Sequence, residues 1–350
     1  MRTIAVYLRH RRCGDAGRVH SPRSGAAAVP PATDLTRRRT AMVAVSLALA
    51  LIGPRAASAA ASKERSFASA EEAAQALAAA AKADDTTAML AVLGKDAQPL
   101  ISSGDPVADE KVRERFVHAY DEAHVLVQSA DGKTILQIGK DNWPFPIPLV
   151  DTAGAWHFDS AAGKEEILDR RIGANELSAI QACLAYVDAQ REYYQRNPEH
   201  AALLQYAQKL SSSPGKRDGL YWAVKDSEDE SPLGPVFARA RAEGYAGSGT
   251  SAPYHGYYFH ILTAQGAAAA GGAYDYLAHG KMIGGFGLVA YPAQWDVSGV
   301  MTFIVNHDGV VFQKDIGPHT AAAARAIKVF NPDDTWKAVV LSTPMAEGAH

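Results

Sequence analysis

The chain has 350 residues, 47% of them hydrophobic, and a formal net charge of −3. That length can bury a sizeable core and fits two domains of about 150 residues each. The slightly acidic balance lacks the basic footprint that phosphate binding needs, which argues against nucleic acid as a partner, and a total of two cysteines excludes a disulfide framework.

Residues 1–36 are Arg-rich and show no apolar periodicity. Arg37, Arg38 and Arg39 then precede an apolar run from Ala41 to Ile52, a break at Gly53-Pro54, and Ala57-Ser58-Ala59. A basic stretch, a short apolar stretch and a small-residue cleavage site define a secretory signal. The apolar run falls short of the roughly 20 residues that span a bilayer, so no stable membrane span is expected once the leader is removed. Cleavage is placed after Ala59, with Ala61 as the alternative. The basic region is over-long, and no Met separates Met1 from Met42; a non-Met start near Val29 or Leu35 would account for this. The triple Arg partly matches a twin-arginine signal, but Thr40-Ala41 fits it poorly, and the general secretory route is favoured. The expected location is periplasmic or secreted. Residues 60–350 carry 25 basic and 36 acidic side chains and keep only Cys183.

The next segment reads as helices. Ser69 can cap a helix with Glu72 three residues on, as in a capping box, and Ala73, Ala74, Leu77, Ala80 and Ala81 form its apolar stripe. Asp84-Asp85 starts a second helix that Gly94 can end. A third is predicted from about Val107 to Tyr120, with Val112, Phe116, Val117 and Tyr120 on one face. Its charges (Asp109, Glu110, Lys111, Arg113, Glu114 and Arg115) read as a solvated face. His124–Val127 and Thr134–Ile138, flanking Asp131-Gly132, predict a hairpin.

Asn142 to Glu176 is the densest stretch. Trp143 to Val150 has Pro at every second position, and each Pro removes a backbone donor. An extended sheet edge or polyproline-like segment is expected. Gly154 to Asp159 reads as a turn and a short strand, and Lys164 to Arg171 as a charged helix ended at Gly173. A new helix is predicted from Asn175-Glu176, with Leu177, Ile180, Leu184, Val187 and Tyr194 on one stripe. Asn197-Pro198 breaks it, Ala201–Leu210 resumes it, and Ser211–Gly215 ends it. Lone Cys183 beside that stripe reads as a small buried hydrophobe. The domain boundary is placed after residue 215, giving an N-terminal α+β domain (60–215) and a C-terminal Gly-rich β domain (216–350). In the latter, strands are expected at His255–Leu262, Tyr274–Leu277, Lys281–Ala290, Gly299–Val305 and Gly309–Lys314. The spacing suits an antiparallel meander, closed by a helix over 321–329 and an extended segment from Trp336.

The motifs NWPFPIPLV, WHFDSAAGKEEILDRRIGANEL, YVDAQREYY, GYYFHILTAQG, GGAYDYLAHGKMIGGFGLVAYPAQW and GVMTFIVNHDGVVFQKDIG resemble the bacterial domain-of-unknown-function family 2950 (DUF 2950). The resemblance spans Phe67 to Trp336. It implies an exported bacterial protein and assigns no catalytic residue. Residues 66–170, helices followed by strands ending in Trp-x-Phe-Asp, are similar to a cone-shaped NTF2-like fold. Gly256 to Lys314 is distantly similar to the globular β part of pilin-like proteins, whose long N-terminal helix this chain lacks. The expected fold class is α+β.

Catalytic signatures are scarce. His255 and His260, five apart in a predicted strand, would face opposite sides, and no HExxH or CxxC exists, so no metal is expected. Gly284-Gly285-Phe286-Gly287 has no Walker lysine and reads as a bulge or close backbone packing; no cofactor is expected. Gly247-Ser248-Gly249 is loop, not a nucleophile elbow. The remaining constellation is Asp159, Glu165, Glu166, Asp169 and Glu176 with Arg170 and Arg171, which could supply a general acid and base or organise a helix start by ion pairing. Two functions follow: a non-catalytic envelope protein that binds a ligand or partner, or a carboxylate-dependent hydrolase acting on an envelope or polysaccharide substrate.

Overall fold

One 37-residue helix serves both halves of the molecule. The computed structural model describes residues 65–129, 132–223, 230–245 and 252–340, all within one compact unit, residues 61–350. The leader and the loop at 247–249 lie outside the described residues. The fold is α+β, and no helix among the described residues is long and apolar enough to cross a membrane.

The chain opens with α1 (Ala70–Lys82) and α2 (Thr86–Leu93). Ser69 Oγ accepts from Glu72 N at 3.1 Å, and Glu72 returns an acceptor to Ala68 N at 3.0 Å, so the predicted box closes one residue early. Asp85 caps α2 through Ala88 N. A short α3 (Gln98–Ile101) leads to α4 (Pro106–Glu122), which has Pro at its first turn, where a missing N–H costs nothing.

The predicted hairpin is β1 (His124–Gln128) and β2 (Thr134–Ile138), antiparallel with Gln128 opposite Thr134. The Pro-rich run gives β3 (Trp143–Pro144), which pairs only with β2. Phe145, Ile147 and Leu149 alternate inward between its prolines and join the first core. β4 (Leu149–Thr152) and β5 (Ala155–Phe158) follow, joined at Ala153-Gly154, both at positive φ, as a two-residue primed turn requires.

α5 (Ser160–Arg196) then runs unbroken. The expected stop at Gly173 and restart at Asn175 are corrected: Gly173 is exposed and helical, with nothing within 4 Å of where a Cβ would stand. Ile167 and Leu168 of α5 pack on the first core, with α1, α2 and the first sheet. From Ala179 onward α5 forms the second core with the C-terminal sheet, around Tyr186, Val187, Tyr257, Phe286 and Phe303.

The expected helix over Ala201–Leu210 is absent. Its backbone bonds go elsewhere: Gln190, fully buried, donates to Ala207 O and accepts from Ala207 N, both at 2.8 Å, and Tyr206 N donates to Met282 O at 2.8 Å. A side chain and a distant strand take the bonds a helix would use.

Beyond α6 (Gly234–Ala242) come β6 (Tyr257–Leu262), β7 (Ala264–Gln265), β8 (Tyr274–Asp275), β9 (Leu277–Ala278) and β10 (Lys281–Met282). They are followed by β11 (Gly287–Pro292), β12 (Met301–Asn306) and β13 (Phe312–Asp315). α7 (Thr320–Ala326), β14 (Val329–Phe330) and β15 (Lys337–Ala338) close the chain's described part. The main sheet has the order β15-β13-β12-β11-β6, all antiparallel. The single strand expected over 281–290 is split. Ile283 N and Gly284 N both donate to Tyr276 O, and Gly285, at φ +150°, passes so close to the His307 ring that a Cβ would lie 2.7 Å from Nδ1. This is the bulge and close packing expected of that Gly run.

Cys183 is buried in the second core, and burial pushes its thiol up to about 12. A chain beginning at residue 60 is therefore expected to show no reaction with a disulfide reagent under native conditions and one equivalent after denaturation. Native labelling at the rate of a free thiol would contradict this burial.

Candidate functional site

The stripe on α4 does not end at the core. Tyr120 is buried and Phe116 half-buried, but Val112, one turn earlier, is 47% exposed. It faces an open cleft of about 1000 Å³. Leu77 of α1, Met89 and Leu93 of α2 and Ile138 of β2 also line the cleft, as do Trp143 and Phe145 from the Pro-rich run. Ile167, Arg170, Arg171, Ala174 and Asn175 of α5 lie along it, and Glu243, Tyr245 and His255 reach it from the C-terminal half. Its size and mainly apolar walls suit a small-molecule site.

A polar knot holds the two halves together beside this cleft. Asp105 caps α4 through Ala108 N at 3.1 Å. Its other oxygen accepts from Gly256 N and from Tyr245 OH, each at 2.8 Å. Tyr245 OH in turn accepts from His255 N at 3.1 Å. His255 and Gly256 both have positive φ, which aims the two successive amides at this acceptor pair. His255 is therefore a turn residue ahead of β6, and the expectation that it sits in one strand with His260 is corrected. Its Nε2 lies 2.9 Å from Glu243 Oε2. Burial and the adjacent Asp105 push the Tyr245 phenol well above its ordinary range, so it acts here as a donor.

Asp109 is also corrected. It is not solvated but buried, and accepts from Ser103 N through both oxygens and from Ser103 Oγ at 2.7 Å. The local signal was present, since Ser103 and Asp105-Pro106 form a helix start that needs an acceptor one turn on. The contacts of Asp105 to residues 245 and 256 span more than half the described chain, and no local pattern encodes them.

The carboxylate–arginine constellation is spread along α5 rather than gathered. Asp159 caps the helix through Ala162 N at 3.2 Å and faces Lys133 at 3.5 Å. Glu165 and Asp169 are exposed and outside the cleft lining. Glu166 pairs with Arg170 one turn on. Glu176 is buried and accepts from Val300 N and Met301 N at 3.0 and 2.9 Å. Of these seven residues, Arg170 and Arg171 line the cleft. Arg170 lies 6.0 Å from the ring centre of exposed Trp143. Arg171 donates to Pro99 O and Leu100 O, both at 2.6 Å, which satisfies carbonyls that α3 leaves unpaired at its end. Burial draws the Arg171 pKa down, against the pull of nearby Asp109, and the guanidinium remains a cation.

The fold and the cleft define an α+β protein strung on one long helix, with an open, mainly apolar cleft where its two cores adjoin. A family model described as "Protein of unknown function (DUF2950)" matches residues 64–339, and the chain belongs to that family. No curated protein and no solved structure matches it.

Proposed function

We propose that this is an exported, non-catalytic envelope protein that binds a small apolar ligand in the cleft between α4 and α5. The observation that carries the reading is the apolar stripe of α4, which runs out of the core and lines an open cleft of about 1000 Å³. A stripe of that kind is normally covered, and a ligand body would cover it. Export is supported by the leader pattern at residues 37–59.

The hydrolase alternative draws less support. Glu166 and Glu176 are ten residues apart on one helix, so their backbones lie ~15 Å apart. Glycoside hydrolysis places its two carboxyls about 5–9.5 Å apart.

Titration with Nile red, a neutral apolar dye, tests the reading. Saturable binding at one site is expected, and filling the cleft by Ala174→Trp or Ala108→Trp is expected to abolish it while the melting curve is kept. Binding that survives both variants would place the dye elsewhere and defeat the proposal.

A further inference from the structure

The ionisable side chains that line the cleft are unevenly balanced. Five cations, Lys111, Arg113, Arg115, Arg170 and Arg171, stand against two carboxylates, Asp109 and Glu243. This runs opposite to the chain as a whole, since residues 60–350 have more acidic than basic side chains. Neither lining carboxylate offers an open charge. Asp109 is closed over by three bonds from Ser103, and Glu243 faces His255.

The cations are more available. Lys111, Arg113 and Arg170 pair with Glu114, Asp84 and Glu166, all of them acids outside the lining. The Lys111 and Arg170 pairs are exposed, and such pairs are worth about 0–1 kcal/mol, so a ligand can recruit those two cations at little cost. Arg115 is exposed and has no ion-pair partner among the described residues. Arg171 matters most: it is half-buried, and among the described residues its hydrogen bonds go only to the neutral carbonyls of Pro99 and Leu100. Asp109 acts on it from a distance, with its own oxygens taken by Ser103, but no carboxylate forms a direct ion pair with it among those residues, and a sheltered cation without a direct partner is costly.

We infer that the ligand is an amphiphile with a long apolar body and one anionic head, a carboxylate or a phosphate, and that Arg171 is the head's principal partner. This rests on the cleft being the binding site proposed above. The apolar body covers the α4 stripe, and the head supplies the direct ion pair that Arg171 lacks among the described residues. The fork of the guanidinium suits either oxyanion, because its free N–H groups can point at two oxygens together.

Calorimetry with lauric acid, lauryl phosphate, lauryl alcohol and dodecyltrimethylammonium, each below its micelle concentration, separates the outcomes. One or both anions are expected to bind at least about tenfold more tightly than the alcohol, the worth of one charge-assisted contact. The cation is expected to bind most weakly, and the anion's advantage to shrink with added salt. The ratio of acid to phosphate tells which head is preferred. Arg171→Met is expected to remove most of the anion's advantage over the alcohol. Should Arg171→Met fail to fold, the surface double variant Arg115→Ala/Arg170→Ala is expected to reduce the same advantage by a smaller factor. Equal binding of acid and alcohol would overturn the anionic head and leave the cleft reading standing. No binding of any of the four would overturn both.

Discussion

Gly163→Ala is expected to destabilise the protein by roughly 3 kcal/mol, and Gly173→Ala, ten residues along the same helix, to stabilise it by about 0.5–1 kcal/mol. Helix propensity alone assigns both substitutions the same favourable sign. The surroundings reverse one of them. A Cβ at Gly163 would stand 2.6 Å from Pro146 O and 2.8 and 2.9 Å from Ile147 Cγ1 and Cα. Two of those three atoms are backbone, and that backbone is held. Asp159 N donates to Pro148 O at 2.8 Å, Phe145 N donates to Leu136 O at 2.7 Å, and the prolines fix φ between them. The Pro-rich edge therefore cannot retreat, and the first turn of α5 would have to lift. That would also open the cleft wall at Phe145, Pro146 and Ile167. Gly173 meets nothing within 4 Å, so only the entropy of the unfolded chain changes there. Urea midpoints of the two variants, with unchanged slopes, check the pair. Shifts of the same sign would show that Gly163 is not a close-approach residue.

The same two glycines show what a one-dimensional reading can and cannot reach. Gly173 looked like a terminator because glycine often ends helices, yet the helix passes through it, held on both sides by cores that lie far apart in sequence. Gly163, which no sequence pattern singles out, lets α5 pass against the backbone of Pro146 and Ile147. Local chemistry was legible: Ser69 and Asp85 cap their helices, the β1–β2 hairpin forms, the prolines keep β3 at an edge, and the glycines at 284–285 mark a bulge. Long-range bonding was not. Residues 201–210 have helical spacing but give their backbone groups to Gln190 and Met282. Asp109 opens the charged run Asp109-Glu110-Lys111 and is buried all the same, because Ser103 folds over it. The site was half legible for the same reason. Arg170 and Arg171 sit in a conspicuous charge doublet, whereas Tyr245 and His255 reach the cleft only through the pairing of residues 105 and 256.

Glu176→Ala is expected to cost roughly 3 kcal/mol, and Glu176→Gln about 1 kcal/mol. The carboxylate is buried, and one oxygen accepts from two successive amides, Val300 N and Met301 N, where β12 begins. Those amides belong to the strand that carries Phe303 and Val305 into the second core. Alanine leaves two part-buried donors without that acceptor, and each unsatisfied group costs about 1–3 kcal/mol. Glutamine keeps an acceptor oxygen in place and loses only the charge-assisted part of both bonds. The order of the two variants separates a structural carboxylate from a catalytic one. A general acid or base is silenced by Gln as thoroughly as by Ala, with little change in stability from either. A strand anchor instead shows a graded loss of stability, and in the Ala variant faster hydrogen exchange at the Val300 and Met301 amides. Equal stability of both variants with the wild type, together with unchanged exchange at those amides, would return Glu176 to the list of catalytic candidates. The graded result would leave Arg171 and its cleft as the part of α5 that faces a ligand, with Glu176, five residues on, turned to the sheet.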